Sequence, residues 1–128
     1  MNTELTMLVC VIGLSAIAWV PYILNTIMVR GLVDAVGYPD DPKPVAPWAE
    51  RMKKAHYNAV ENLVLFAPLV LLLNAQGISN ETTVLACQAY LWARVAHYIV
   101  YTLGIPWLRT IAFTVAWLCI VALLLQFF

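Results

Sequence analysis

Residues 107–128 read WLRTIAFTVAWLCIVALLLQFF, and Arg109 is the only charged side chain in this stretch. A helix that crosses the hydrocarbon core of a bilayer needs about 20 mostly apolar residues. The apolar residues follow one another continuously instead of alternating with polar ones, which favours a helix over a half-buried strand. The stretch therefore predicts a membrane-spanning helix, and the lipid bilayer is the first partner that we expect for this chain.

Three further stretches are apolar enough to cross a membrane. We expect spans at about residues 5–29, 57–75, 82–103 and 107–127. Only helices and closed barrels satisfy their backbone hydrogen bonds in lipid, and the continuous apolar runs favour helices. The composition agrees, because 11% of the residues are charged, against about 25% in a soluble domain. The sequence predicts an all-α protein, with one four-helix membrane domain over residues 1–128.

Prolines and glycines mark the breaks between and within these spans. Pro21 and Pro68 lie inside the first and second spans, and each predicts a kink because proline lacks an amide donor. The link over residues 31–50 is long and rich in proline, so we do not expect it to continue a helix. Short turns at residues 77–80 and 104–106 join the remaining spans.

The basic residues predict how the chain is oriented in the membrane. Five of them flank the first link: Arg30, Lys43, Arg51, Lys53 and Lys54. Arg109 flanks the third link, whereas the second link, around Glu81, has no basic residue. The positive-inside rule then places the first and third links in the cytoplasm and both termini on the opposite side.

Several kinds of chemistry find no support in the sequence. The three cysteines, Cys10, Cys87 and Cys119, lie far apart without CxxC spacing, so we expect neither a disulfide framework nor a zinc site. His56 and His97 have no third metal-type neighbour, so no metal site is expected. A formal net charge of zero gives no reason to expect a nucleic-acid partner.

Two full charges, Glu61 and Arg94, lie inside apolar stretches. A charged side chain at the centre of a membrane helix costs about 2.5 to 3.5 kcal/mol on insertion scales. Partners, water or a position near the interface must offset that cost. The simplest interpretation is a structural ion pair between the second and third helices.

The neighbours of these two charges favour a ligand site over a simple ion pair. On the second span, three polar residues stand at i, i+4 and i+7: Lys54, Asn58 and Glu61. On the third, three stand at i, i+3 and i+7: Arg94, His97 and Tyr101. Each set shares one helical face. Arg30 and Arg109 lie at the same depth, and together these groups suit an anionic polar ligand. Snorkelling of Arg30 and Lys54 and an interfacial role for Tyr101 remain as structural alternatives.

Three motifs resemble one known family. Residues 54–62, KAHYNAVEN, resemble the R-A-x-x-N-x-x-E signature of the membrane-associated proteins in eicosanoid and glutathione metabolism, the MAPEG family. Residues 94–101, RVAHYIVY, resemble its third-helix motif, and residues 104–110, GIPWLRT, are similar to its entry into the fourth helix. The Asp-Asp-Pro-rich link is similar to that of bacterial members, which implies a bacterial inner membrane.

The resemblance implies an assembly, a co-substrate and a set of site residues. It implies a homotrimer that holds glutathione between neighbouring subunits, open to the cytoplasm, and that acts on lipophilic electrophiles or lipid hydroperoxides. The glutathione-binding residues that it implies are Arg30, Lys54, Asn58, Glu61, Arg94, His97 and Tyr101. The catalytic residues that it implies are Arg109, Tyr101 and Thr110. Two positions depart from the family pattern: Lys54 replaces the usual arginine, and Asn62 replaces the tyrosine of leukotriene-type members.

The implied chemistry is the activation of a thiol. A cysteine thiol has a pKa near 8.5 and reacts as its thiolate, and a nearby opposite charge lowers such a pKa by about one to three units. Arg109 is the residue that the resemblance places at the sulfur. Two alternatives remain open at this point. One is a non-catalytic small membrane subunit or lipid- or partner-binding protein that keeps the family fold. The other is a small transporter that uses Glu61.

Overall fold

The structure, a computed structural model, describes residues Met1–Phe128, and every regular element in it is helical. The prediction of an all-α protein is confirmed. The elements are α1 (Thr3–Ile17), α2 (Trp19–Arg30), α3 (Leu32–Val36), α4 (Pro47–Ala75), α5 (Glu81–Leu103) and α6 (Pro106–Leu124), followed by a 3-10 turn (Leu125–Phe127).

Three helical segments are long and apolar enough to cross a membrane by length and composition: Thr3–Arg30, which combines α1 and α2, Pro47–Ala75 and Pro106–Phe127. With 23 residues, α5 is about 35 Å long, which is also enough to span a bilayer. Gln88, Arg94 and His97 interrupt its apolar sequence, so it has no 18-residue stretch as apolar as those of the other three segments. Composition alone therefore marks three spans and not four.

Hydrogen bonds at the helix ends show that successive long helices run antiparallel. At one end of the bundle the Asn2 side chain, just before α1, contacts Asn74, near the end of α4. At the same end Asn80, which caps α5, donates to Gln126 just after α6. The core between the helices is closely packed, and the stack of Phe66 on Tyr90 has a centroid distance of 3.8 Å.

The first span is interrupted at Ala18, three residues before Pro21. Proline has no amide hydrogen to bond to the carbonyl of residue 17, so the regular hydrogen-bond pattern stops there. His56 of α4 contacts both sides of the interruption: Nε2 is 2.8 Å from the Ser15 carbonyl, and Nδ1 is 2.7 Å from the Tyr22 hydroxyl. Because a carbonyl only accepts, Nε2 donates to Ser15 and Nδ1 accepts from Tyr22. The second proline that was expected to kink a helix, Pro68, lies within α4, which continues without interruption.

The link between the first two long helices is shorter than the expected 31–50. It begins with the short helix α3, although no helix was expected there, because the first proline of the link comes only at Pro39. It ends at Pro47, which opens α4 at a position where proline costs no hydrogen bond. At 29 residues α4 is about 43 Å long, so its polar first turns extend beyond the hydrocarbon core.

Gly104 ends α5 in a left-handed conformation, with φ of 80° and ψ of 29°. The guanidinium of Arg51 covers this turn, because its Nε donates to the Thr102 carbonyl at 3.0 Å. A Cβ atom on Gly104 would lie 3.2 Å from that guanidinium. The turn that carries the chain from α5 into α6 therefore favours glycine for two reasons.

We expect Gly104→Ala to destabilise the protein by about 1 to 3 kcal/mol, the usual cost of a strained left-handed residue. The measurement is the temperature at which the detergent-solubilised protein aggregates. Gly13→Ala is the matched control, because a Cβ on Gly13 meets nothing within 4 Å and alanine is the better helix former. Equal aggregation temperatures for the two variants would contradict this account of the turn.

Candidate functional site

A polar cavity of about 250 Å³ lies where α5 ends and α6 begins. Residues of three helices line it: Asn58 of α4, His97 and Tyr101 of α5, and Arg109, Thr110 and Phe113 of α6. Five of these six residues belong to the set that the sequence singled out. The structure therefore brings residues that are more than 50 positions apart to one place.

The turn at Gly104 explains how α5 and α6 share this cavity. His97 and Tyr101 lie one helical turn apart on α5, and their rings are 5.4 Å apart in an edge-to-face arrangement. The chain reverses after Leu103, so that the first turns of α6 pack beside the last turns of α5. The guanidinium of Arg109 then lies 4.7 Å from the centroid of the Tyr101 ring. Such a cation–π contact holds the charge in place without neutralising it.

Arg94 was expected among the glutathione-binding residues, but it does not line the cavity. Only 1% of its surface is exposed, and it lies beneath Asn58 and His97. Its Nη2 donates to Oδ1 of Asn58 at 2.8 Å and is 3.4 Å from Nδ1 of His97. Glu61 is exposed, and Arg94 contacts Asn58 in its place, so the chain contains no Glu61–Arg94 ion pair. The two polar stripes meet at Asn58, whereas Glu61 is exposed.

The remaining candidates lie elsewhere on the chain. Lys54 and Glu61 are exposed on α4, outside the cavity. Nε of Arg30 donates to the Lys43 carbonyl at 2.7 Å, beside a separate cavity of about 180 Å³ under the long link. Within a single chain, the predicted glutathione-binding residues are therefore divided among four places: the cavity, the core beneath it, the exposed surface of α4 and the cavity under the long link.

Two residues at the site were not singled out in the sequence. Phe113 lines the cavity four positions after Arg109, and the helical period could have indicated it. Asn62 is 8% exposed and donates to the Asn58 carbonyl at 2.9 Å, with a second, longer contact of 3.4 Å to Asn58 Oδ1. In the sequence it was only a departure from a family motif, whereas in the structure it supports Asn58 from the core side.

The cavity has the chemistry of an anion site. Arg109 is the only charged group that lines it. The other polar groups are an amide, an imidazole and two hydroxyls, all of which can donate hydrogen bonds. Donors and an unneutralised guanidinium suit a carboxylate or a thiolate.

The fold and the cavity together define a class: a small, all-helical integral membrane protein with an arginine-containing polar site at one end of its helices. A comparison with protein-family models finds the MAPEG family, which matches residues 6–128. The chain therefore belongs to the MAPEG family, a family of membrane proteins that includes glutathione-dependent transferases. A search for relatives among curated proteins finds no match.

Proposed function

We propose that the protein is a glutathione-dependent membrane transferase or peroxidase. It activates the glutathione thiolate for attack on lipophilic electrophiles or lipid hydroperoxides. The observation that carries the proposal is the cavity in which Arg109 lies over Tyr101 and beside Thr110, with Asn58 and His97 opposite. Family membership supports glutathione as the ligand that we propose for this donor-rich site.

The cavity of one chain offers partners for only part of the tripeptide. Sites for small molecules measure about 300 to 1,000 Å³, and this cavity measures about 250 Å³. Glutathione also has an ammonium group and two carboxylates that need partners. Glu61 is the acidic residue that suits the ammonium, and Lys54 and Arg30 suit the carboxylates. These three lie outside the cavity of their own chain, which supports the proposal that a neighbouring subunit completes the site.

An exposed strip on α4 supports assembly as a homotrimer. The strip repeats about every helical turn and consists of Tyr57, Glu61, Val64, Pro68 and Leu72. A carboxylate in the middle of such a strip would cost several kcal/mol against lipid. Contact with neighbouring subunits and with a bound ammonium removes that cost. We therefore propose that α4 faces the trimer interface.

The proposal includes four spans in a bacterial inner membrane. Arg94 and His97, which lower the hydropathy of α5, are both buried inside the bundle, whereas Leu85, Trp92 and Ile99 are exposed. Gln88 is exposed on the same helix. A helix that buries its arginine and histidine and exposes mainly apolar side chains can cross a bilayer. From the basic residues and the positive-inside rule, we propose that the first and third links, and with them the cavity, lie on the cytoplasmic side and both termini on the periplasmic side. The lipophilic substrate would reach the site from the bilayer.

Within the site, each residue has a proposed role. Arg109 stabilises the thiolate, and Tyr101 and Thr110 line the position of the sulfur together with it. Asn58 and His97 donate hydrogen bonds to the bound peptide. The role of Arg94 changes: because it is buried under Asn58, it acts on the ligand only through Asn58 and His97.

Calorimetric titration of the detergent-purified protein with glutathione tests the proposal. We expect binding at or below millimolar concentration, and native mass spectrometry should show three subunits. An absorbance band of the bound thiolate should be visible at neutral pH. If the protein binds no glutathione at millimolar concentration, the proposal is wrong.

The exposed Lys54 favours one alternative. A lysine ammonium cannot form the bidentate carboxylate contact of the arginine that is usual at this motif position. The alternative is a non-catalytic membrane subunit, or a lipid- or partner-binding protein, that keeps the fold. It predicts an intact trimer without thiol chemistry, and turnover that depends on Arg109 would exclude it.

A further inference from the structure

Arg94 is a buried cation without an anionic partner. It is 1% exposed, it has no carboxylate partner within the chain, and its Nε and Nη1 atoms have no hydrogen-bond partner at all. Removing a charge from water without a counter-ion costs several kcal/mol. A structural purpose alone is better served by an apolar residue of similar size. We therefore ask what Arg94 does at this position because its guanidinium can donate hydrogen bonds but cannot accept them.

The first consequence of this buried cation concerns Asn58. Arginine only donates hydrogen bonds, so the Asn58 atom 2.8 Å from Nη2 must be the amide oxygen. The side-chain nitrogen of Asn62 approaches the same oxygen at 3.4 Å, which agrees with that assignment. Two donors thus hold the oxygen of Asn58 on the core side. Its NH2 group is left for the cavity, which Asn58 lines.

The second consequence concerns His97. Nη2 of Arg94 is 3.4 Å from Nδ1 of this ring, and Nδ1 must accept because arginine cannot. A neutral imidazole that accepts at Nδ1 carries its hydrogen on Nε2. The ring is 2% exposed and lines the same cavity. His97 therefore offers a donor to the cavity and not a lone pair.

We propose that Arg94 is the positioning residue that sets the hydrogen-bond polarity of the cavity. By holding Asn58 and His97 as donors, it makes the site select groups that only accept, a thiolate or a carboxylate, over a neutral thiol. The ligand in this statement rests on the proposed function. The orientation of the two side chains does not, and it can be measured without any ligand.

Nitrogen NMR of the histidine-labelled, ligand-free protein tests the orientation. The chain has two histidines, and both should carry hydrogen on Nε2, because His56 donates from that atom to Ser15. In Arg94→Met, His97 should become a mixture of both tautomers, whereas His56 should not change and serves as the internal control. A wild-type His97 that carries its hydrogen on Nδ1, or a spectrum that Arg94→Met leaves unaltered, would overturn the proposal.

Binding experiments test the selectivity. In Arg94→Met the affinity for glutathione should fall about tenfold and the pH midpoint of the bound thiolate should rise by about one unit, as expected when a hydrogen bond from Asn58 or His97 to the bound anion is lost. Arg94→Lys still donates to Asn58, so it should recover part of the affinity for glutathione and part of the change in the pH midpoint. Wild-type affinity and midpoint in a folded Arg94→Met protein would overturn the positioning role while leaving the proposed function intact. If the wild type binds no glutathione, the proposed function fails, and the NMR result alone decides the role of Arg94.

If Arg94→Met does not fold, Asn58→Asp tests whether Asn58 acts as a hydrogen-bond donor to the ligand. The new carboxylate would pair with Arg94, so the protein should fold, but the donor that faces the cavity becomes an acceptor. We expect the affinity for glutathione to fall more than tenfold, with a melting temperature equal to or above that of the wild type. A folded Asn58→Asp protein that binds glutathione as the wild type does would refute the donor role.

Discussion

Arg109→Ala should remove the thiolate band of bound glutathione at neutral pH and lower turnover by about 10- to 100-fold. Arg109 is the only charged group in the cavity, and its charge lies over the Tyr101 ring with no carboxylate to neutralise it. A thiol with a pKa near 8.5 is only a few per cent ionised at pH 7, and a nearby cation lowers that pKa by about one to three units. Without Arg109 the thiolate fraction returns to a few per cent. Absorbance titration and initial rates at pH 7 measure both effects.

Two further variants separate this local effect from a general loss of positive charge. Arg109→Lys should keep part of the thiolate, because an ammonium supplies the charge without the planar guanidinium. Lys43→Ala removes one exposed charge from the long link and should leave the thiolate unchanged, since Arg30 bonds only to the backbone carbonyl of Lys43. A thiolate band that survives in Arg109→Ala would show that another group activates the sulfur.

Glu61→Gln should weaken glutathione binding by about 10- to 100-fold without unfolding the protein. Glu61 is exposed in the middle of the α4 strip, and it makes no hydrogen bond or ion pair within its own chain. A hydrogen bond to a charged group contributes about 1.5 to 3 kcal/mol, which corresponds to this range. Glutamine has the same size and no charge, so packing at the interface should persist. Calorimetric titration with glutathione measures the change.

A glutathione analogue without the γ-glutamyl amino group makes the Glu61 experiment specific. The wild type should bind this analogue more weakly than glutathione, and Glu61→Gln should bind the two ligands about equally, because the partner of the ammonium is gone. Glu81→Gln is the matched control, since Glu81 is also exposed but lies at the opposite end of the bundle. If Glu61→Gln still prefers glutathione over the analogue as strongly as the wild type does, the ammonium binds elsewhere.

Much of the candidate site follows from helical spacing. His97 and Tyr101 were expected on one face of the third long helix, and both line the cavity with Arg109 and Thr110 of the next helix. Spacing works here because the period of 3.6 residues assigns side chains to a face whatever the helix packs against. It fails for Arg94, which belongs to the same stripe as His97 but is turned into the core under Asn58. One polar stripe can therefore have His97 and Tyr101 at the cavity and Arg94 in the core.

The sequence by itself determined the all-helical fold, the membrane class and the family, because apolar runs, proline positions and short motifs are local properties of the chain. Only the tertiary structure decided which charged groups meet. It separated Glu61 from Arg94, placed Arg30 under the long link and brought Asn62 to the support of Asn58. The physical reason is that helical period defines a face but not the rotation of one helix against its neighbour. Packing of the core side chains sets that rotation, and with it the side chains that the buried Arg94 contacts.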